Sequence, residues 1–212
     1  MCTLRNFPNQ IEHCIEWGRD KFNELFVDTP GDLKSFLDDK ATFVKNLKEN
    51  STSAGVRTSL ERIESFIAMK QENSFQSCVK LAKETFNAYY DHSIRDLLSI
   101  FPKDHKDKDG QPFWSGPKRA PSPISFDGSD AMHIGFLMTY SNLIANALSI
   151  PSMNDEAAFA ELAKNTKVAD YVPKKIEVKL PEEEKNNNQA AEVAALTPDD
   201  EDLISKTLAR LD

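Results

Sequence analysis

The sequence predicts an all-α fold: a mainly helical domain of several helices with long loops. Apolar residues recur at three- and four-residue spacing over most of residues 9–165, which is the periodicity of a buried helical face. Helix start and stop signals, such as Thr29-Pro30 and Phe101-Pro102, separate these periodic runs. Apolar and polar residues alternate only over residues 174–180, so we expect at most a short extended segment there.

The amino-terminal part of the chain predicts four helices. The first spans residues 9–26 and follows Pro8, which suits a helix entry. Thr29-Pro30 supplies an N-cap and a first-turn residue, and residues 32–50 then accommodate two short helices. The apolar stripe restarts at Ser53, which indicates a further helix.

The middle of the chain combines a central helix with a long connection. Residues 74–100 form the longest periodic run and predict a helix that ends at Phe101-Pro102. Residues 103–130 contain four prolines and three glycines without periodicity, and we interpret them as a loop. Connections of this length are usually functional or disordered. Helical spacing returns over residues 131–150 and 154–165.

The carboxyl-terminal part is acidic and rich in asparagine. Residues 181–197 contain few large apolar groups, so they cannot offset the cost of ordering, and we expect a flexible linker. Residues 197–211 begin with a threonine N-cap, a proline and a run of acids, which predicts a short helix. We therefore divide the chain into a helical domain, residues 1–180, and an acidic linker with a short helix, residues 181–212.

The composition favours a protein of a reducing compartment. The 26 basic and 34 acidic residues give a formal net charge of -8, which disfavours binding to nucleic acid or anionic membranes. Three cysteines do not make a secreted disulfide framework. The sequence shows neither a signal peptide nor an apolar run near the roughly 18 residues of a membrane span. We therefore expect a cytoplasmic or nuclear protein with no nucleic-acid or membrane partner.

Nucleotide and metal motifs are absent from the sequence. Neither GxGxxG nor GxxxxGKS/T occurs, so this chain alone is not expected to bind ATP. Neither CxxC nor HxxxH occurs and the four histidines are far apart, so we expect no metal site.

The cysteines differ in their sequence surroundings. Cys14 and Cys78 lie on apolar helical stripes, and we interpret both as small core hydrophobes. His13, beside Cys14, is interpreted as a partly buried histidine with an ordinary hydrogen bond. Cys2 lies near a chain end, where core packing is rare, so it requires a chemical explanation. One alternative is a protease that pairs Cys2 with a distant histidine, although nothing in the sequence marks that base.

The segment from Pro112 to Arg119, PFWSGPKR, mixes aromatic and basic residues. In one interpretation Phe113 and Trp114 pin the long loop to the core while Lys118 and Arg119 are solvated. In the other interpretation the segment is a docking element for a partner. The residues alone leave both open.

Two segments resemble motifs of the ubiquitin-activating enzyme family. Residues 1–17, MCTLRNFPNQIEHCIEW, resemble its active-site segment, in which Cys-Thr-aliphatic-basic-x-Phe-Pro precedes a helix carrying His and Trp. PFWSGPKR, with Phe126 and Asp127 further on, resembles a second motif of that family. Their order and separation match its second catalytic-cysteine half-domain, and the resemblance covers residues 1–150. The chain departs from the pattern at Ala120, where the family often has cysteine.

The resemblance implies that Cys2 is the catalytic nucleophile. Its thiolate would attack the C-terminal adenylate of ubiquitin, expel AMP and hold ubiquitin as a thioester for transfer to a ubiquitin-conjugating enzyme. If this segment is helical, Arg5 would lie beside the thiol and lower its pKa. Thr3 and Asn6 would donate hydrogen bonds to the oxyanion.

The resemblance also implies a longer parent enzyme. Residues 181–212 would lead back towards an absent adenylation domain, which binds ATP and Mg, so this chain alone is not expected to be active. The implied partners are ubiquitin, ubiquitin-conjugating enzymes and that adenylation domain. The resemblance further implies that the active-site segment rearranges between adenylation and thioester formation.

Two alternatives to this function stay open at this point. One is the equivalent domain of an activating enzyme for a related ubiquitin-like modifier. The other is a non-catalytic helical interaction scaffold in which Cys2 is incidental.

Overall fold

The structure, a computed structural model, describes residues 8–173 and 198–210. Within these residues every regular element is a helix, and one isolated bridge in the long loop is the only strand-like pairing. The all-α prediction is confirmed. The predicted extended segment at residues 174–180 and the predicted linker at residues 181–197 lie outside the described residues.

The described helices form seven continuous helical runs. These runs contain nine α-helices, in chain order α1 (Ile11–Asn23), α2 (Thr29–Asp38), α3 (Lys40–Asn50), α4 (Ser53–Glu72), α5 (Phe75–Asn87), α6 (Ser93–Ile100), α7 (Ala131–Ala147), α8 (Glu156–Asn165) and α9 (Pro198–Arg210). The first π-helical turn, Glu24–Asp28, joins α1 to α2, and the second, Ala88–His92, joins α5 to α6. The sequence indicated the helices but neither π-helical turn.

The first π-helical turn accommodates Pro30. A proline inside a helix has no N–H, and its ring crowds the carbonyl four residues earlier. Here the helix widens just before the proline, because the Thr29 N–H donates to the Glu24 carbonyl five residues back. The Thr29 hydroxyl donates to the same oxygen at 2.7 Å. The chain thus continues as helix through Pro30 instead of stopping for the new N-cap that the sequence predicted at Thr29.

The main core forms where α5 packs against α7. The buried residues of α5 recur at three- and four-residue spacing, as the sequence predicted, and α8 covers one side of the pair. The core includes Cys78, Val79, Ala82, Phe86, Ile134, Leu137, Ile144, Phe159 and Ala163. Ser141 is buried among them and donates its hydroxyl to the Leu137 carbonyl at 2.7 Å. This hydrogen bond satisfies the buried Ser141 hydroxyl.

The helix α9 covers a second, smaller core on α4. Ile204 is buried against Val56 and Leu60 of α4. The Lys48 ammonium donates to a Glu201 carboxylate oxygen at 2.5 Å, so α9 also contacts α3. The sequence predicted this helix with little core of its own, and its apolar face serves to cover α4.

The core does not include Cys14, so that prediction was wrong. Cys14 is exposed, and Ile11 and Ile15 on the same helix are 67% and 65% exposed. Apolar periodicity correctly indicated a helix, but it does not show whether another element covers the apolar face. Cys78 is buried, as predicted.

We expect Leu137→Ala to lower the free energy of unfolding by about 2–5 kcal/mol, because it leaves a cavity at the centre of the main core. Leu37→Ala on α2 is the matched control. That side chain is 62% exposed, and its truncation should change the unfolding free energy by less than about 0.5 kcal/mol. Urea denaturation followed by circular dichroism measures both variants. Equal losses from the two substitutions would contradict the described core.

Candidate functional site

The four site residues predicted from the sequence, Cys2, Thr3, Arg5 and Asn6, lie outside the described residues. The description begins at residue 8, and α1 starts three residues later. The structure therefore describes the helix that follows the predicted nucleophile and the surfaces that hold this helix.

His13 secures the first turn of α1. Its Nδ1 accepts a hydrogen bond from the Asn9 backbone N–H at 3.2 Å, and its own backbone N–H donates to the Gln10 carbonyl at 3.2 Å. An accepting Nδ1 places the proton of the neutral ring on Nε2. The predicted ordinary hydrogen bond is confirmed, and it satisfies a backbone donor at a helix start.

Charged side chains link the end of α1 to α4. One oxygen of the Glu24 carboxylate accepts from Lys21 Nζ at 2.6 Å, and the other accepts from Arg62 Nη2. The exposed fractions of Lys21, Glu24 and Arg62 are 33%, 29% and 34%. Partial burial raises the pKa of Glu24, but hydrogen bonds and charges from Lys21 and Arg62 outweigh it and hold the pKa below its ordinary value. We call these three residues the α1 clasp.

Aromatic rings form the second contact beneath α1. Trp17 meets Tyr89 of the second π-helical turn edge to face, with ring centroids 5.1 Å apart. Lys21 Nζ lies 5.8 Å from the centroid of the same Tyr89 ring, and Phe26 meets Tyr140 of α7 at 5.2 Å. Burial raises the pKa of Tyr89 and of Tyr140 above the ordinary value, so neither phenol acts as a base near neutral pH.

A cleft of about 470 Å³ separates part of α1 from the second π-helical turn and α7. Its walls are mainly aromatic and apolar, and they include Gly18 of α1 and Gly135 of α7. A Cβ atom built at either glycine would meet nothing within 4 Å, so the space above both is open. Apolar packing beneath α1 is therefore incomplete.

The two described thiols differ in their exposure to solvent. Burial, with a smaller contribution from the charge of Glu72, raises the pKa of Cys78 to about 11. The Cys78 Sγ also faces the Ser74 carbonyl at 3.9 Å. A thiol with this pKa is almost fully protonated near neutral pH and is a poor nucleophile. Cys14 is exposed on α1 and open to reagents.

The first part of the second motif pins the long loop to α6. Phe113 is buried and stacks on Phe101 with ring centroids 4.4 Å apart. Trp114 Nε1 donates to the Phe101 and Pro102 carbonyls, each at 3.0 Å. The pinning interpretation is confirmed for both aromatic residues. Of the two basic residues that this interpretation placed in solvent, Arg119 is exposed, whereas Lys118 is partly buried and its Nζ lies 4.7 Å from the centroid of Phe113.

The second part of this motif attaches the same loop to α5 and α7. The Phe126 ring packs 5.8 Å from Phe86, and the Asp127 carboxylate accepts from the Ser129 backbone N–H at 2.8 Å. Lys83 Nζ lies 4.8 Å from the Phe126 centroid and also donates to two carbonyls at the end of α8. The second motif therefore organises the loop by packing and hydrogen bonds.

In the part of the chain that the structure describes, no three His, Cys, Asp or Glu side chains are grouped so as to hold a metal ion. None of its helices has the length and apolar character to cross a membrane.

Sequence reasoning did not find the α1 clasp. Lys21 and Glu24 stand three residues apart on a helix, a spacing that allows an ion pair, so this half was visible in the sequence. Arg62 lies 38 positions after Glu24 on a different helix. No local pattern pairs residues at that separation.

The comparisons with known proteins agree with the resemblance. The family model of the ubiquitin-activating enzyme SCCH domain matches residues 8–212. The chain is similar to ubiquitin-activating enzyme E1 1 of Schizosaccharomyces pombe, with 35% identity over 97% of this chain and 20% of that protein. It is similar to ubiquitin-like modifier-activating enzyme 1 of Dictyostelium discoideum, with 37% identity over 87% of this chain and 18% of that protein.

The similarity extends over the full chain in a third relative. Ubiquitin-activating enzyme E1 2 of Arabidopsis thaliana is 33% identical over 100% of this chain and 19% of that protein. The chain thus spans about a fifth of the length of these relatives. From the matched family model and these identities, the chain belongs to the SCCH-domain family of ubiquitin-activating enzymes.

Proposed function

We propose that this chain is the thioester-forming part of a ubiquitin-activating enzyme, with Cys2 as its nucleophile. The observation that carries the proposal is the location of the motif. The motif from Cys2 to Pro8 leads directly, in the sequence, into residues 8–212, which match the family model. The similarity to the Arabidopsis relative, which covers 100% of this chain, supports the inclusion of the first residues.

The proposed reaction is an acyl transfer in two steps. The Cys2 thiolate attacks the carbonyl carbon of the C-terminal glycyl adenylate of ubiquitin, the bond from that carbon to the phosphate oxygen breaks, and AMP leaves. A cysteine thiolate of a conjugating enzyme then attacks the thioester, which releases Cys2 as a thiolate. The adenylate already has a good leaving group, so the first step does not need a strong local base.

The surroundings of the other two thiols bear on this assignment in different ways. Cys78 is buried, and its raised pKa leaves little thiolate near neutral pH. Cys14 is accessible, but it lies within α1 and outside the Cys-Thr-aliphatic-basic pattern. Cys14 is therefore the chemical rival that an experiment has to separate from Cys2.

Three neighbours of Cys2 are proposed to assist it. The charge of Arg5 would favour the thiolate, because a nearby cation lowers the pKa of a thiol. Thr3 and Asn6 would donate hydrogen bonds to the oxyanion of the tetrahedral intermediate. These roles rest on the family resemblance and on residue chemistry.

The proposal extends to partners and location. Ubiquitin would supply the transferred acyl group, a ubiquitin-conjugating enzyme would accept it from Cys2, and an adenylation domain of the same parent chain would bind ATP and Mg. The net charge of -8 suits partners with a basic face. We propose a cytoplasmic and nuclear location.

In the full-length enzyme, we expect Cys2→Ala to leave ubiquitin adenylation intact and to abolish the thioester, because only the acyl acceptor is lost. Cys2→Ser should form at most a slow oxyester. ATP–pyrophosphate exchange measures adenylation, and a reductant-sensitive gel shift measures the thioester.

Cys14→Ala and Cys78→Ala are the matched controls, and both should keep the thioester. Cys78→Ala should also lower stability by about 1 kcal/mol, typical of a small core truncation. A thioester that survives Cys2→Ala and disappears in Cys14→Ala would reassign the nucleophile. If wild-type enzyme forms no thioester with any modifier, the scaffold alternative is favoured, and a thioester with a related modifier instead of ubiquitin favours the other alternative.

Alkylation of Cys78 should be slow at pH 8 and should accelerate as the pH rises towards 11, since its pKa of about 11 leaves roughly one thiolate in a thousand at pH 8. Cys14 in the same sample is the exposed reference. Iodoacetamide labelling followed by peptide mass spectrometry gives both rates. Rapid labelling of Cys78 in the folded chain at pH 8 would show that it is not buried as described.

A further inference from the structure

We propose that the α1 clasp, Lys21, Glu24 and Arg62, positions α1 and thereby directs the Cys2 segment for thioester formation. The inference rests on the proposed function, because it assigns positioning residues for that reaction. It concerns residues that neither motif of the family resemblance contains.

The helix α1 has little apolar anchoring. None of its residues is buried, and Ile11 and Ile15 face solvent in the described structure. The cleft separates part of its inner side from α7. A helix that is not embedded in a core takes its orientation from a few contacts. For α1 these contacts are made by Trp17 and Lys21 in its second half and by Glu24 directly after it.

The α1 clasp ties this weakly anchored helix to a firmly anchored one. Arg62 belongs to α4, whose neighbouring side chains Leu60 and Ile63 are buried. Each Glu24 oxygen takes a different partner, one on α1 and one on α4, so the carboxylate bridges the two helices. All three charges are partly buried, so dissolved salt screens their interaction less than it would screen a fully exposed ion pair.

Glu24 also marks the joint between α1 and α2. Its backbone carbonyl accepts from both the N–H and the hydroxyl of Thr29, which is buried. One residue thus fixes the backbone at the first π-helical turn and the side-chain bridge to α4. A change at this carboxylate therefore acts at the point about which α1 would tilt.

The length of α1 turns a small tilt into a large displacement of its first residue. The 13 residues of α1 span roughly 20 Å, so a tilt of roughly 10° displaces its start by roughly 3 Å. Cys2 lies nine residues before Ile11 in the sequence. A misplacement of about 1 Å at a reacting group can cost about a hundredfold in rate.

The test uses the full-length enzyme with Glu24→Gln, which keeps the size of the side chain and removes its charge. We expect the single-turnover rate of thioester formation to fall about tenfold while ubiquitin adenylation, measured by ATP–pyrophosphate exchange, stays at the wild-type rate. Arg62→Met should have the same effect, and Arg62→Lys should keep most of the rate because it retains the charge. The double variant should be no slower than either single variant, since both remove one bridge.

Asp38→Asn is the matched control. It breaks the Lys34–Asp38 pair of 2.5 Å on α2, which does not link two helices, and should leave the thioester rate unchanged. A thioester rate in Glu24→Gln equal to wild type would overturn the inference. So would losses that add in the double variant, or that appear equally in adenylation, since these indicate a general structural effect. If wild-type enzyme forms no thioester on Cys2, the proposed function itself fails, and this outcome is distinct from the others.

Discussion

The ring of Phe86 holds together the region where α5 meets α7, and much of the described structure depends on it. Four rings surround this buried side chain with centroid distances between 4.8 and 5.8 Å, those of Tyr90, Phe126, His133 and Phe136. They belong to the second π-helical turn, the long loop and α7. One buried side chain therefore contacts three segments and fixes them relative to each other. Trp17 of α1 packs against Tyr89 of the same π-helical turn, so the position of α1 also depends on this cluster.

The two sequence motifs have different roles, one in the proposed chemistry and one in packing. The first supplies the proposed nucleophile and leads directly into α1. The second supplies Phe113 and Trp114, which attach the loop to α6, and Phe126, which attaches it to α5. The positions of these side chains explain why a long segment rich in proline and glycine keeps a defined path over the core. The second motif therefore contributes packing, while the proposed chemistry belongs to the first.

Local patterns predicted the helices well because the spacing of apolar residues and the start and stop signals act within one segment. The same patterns misplaced Cys14, because burial depends on which element covers a helix, and that is a property of the tertiary structure. They also missed the bridge from Glu24 to Arg62, since the two residues lie on different helices. The proposed nucleophile, Cys2, rests on the family motif, and no periodicity or spacing argument identifies it.

The central claim is that Cys2 is the thiol that accepts ubiquitin and that it precedes a helix held in position by the fold. Direct mapping of the acyl attachment tests it most sharply. The full-length enzyme is charged with ubiquitin and ATP, digested without reductant and analysed by mass spectrometry. The account predicts the C-terminal glycine of ubiquitin on the peptide that contains Cys2. Attachment to the peptide that contains Cys14 would contradict it.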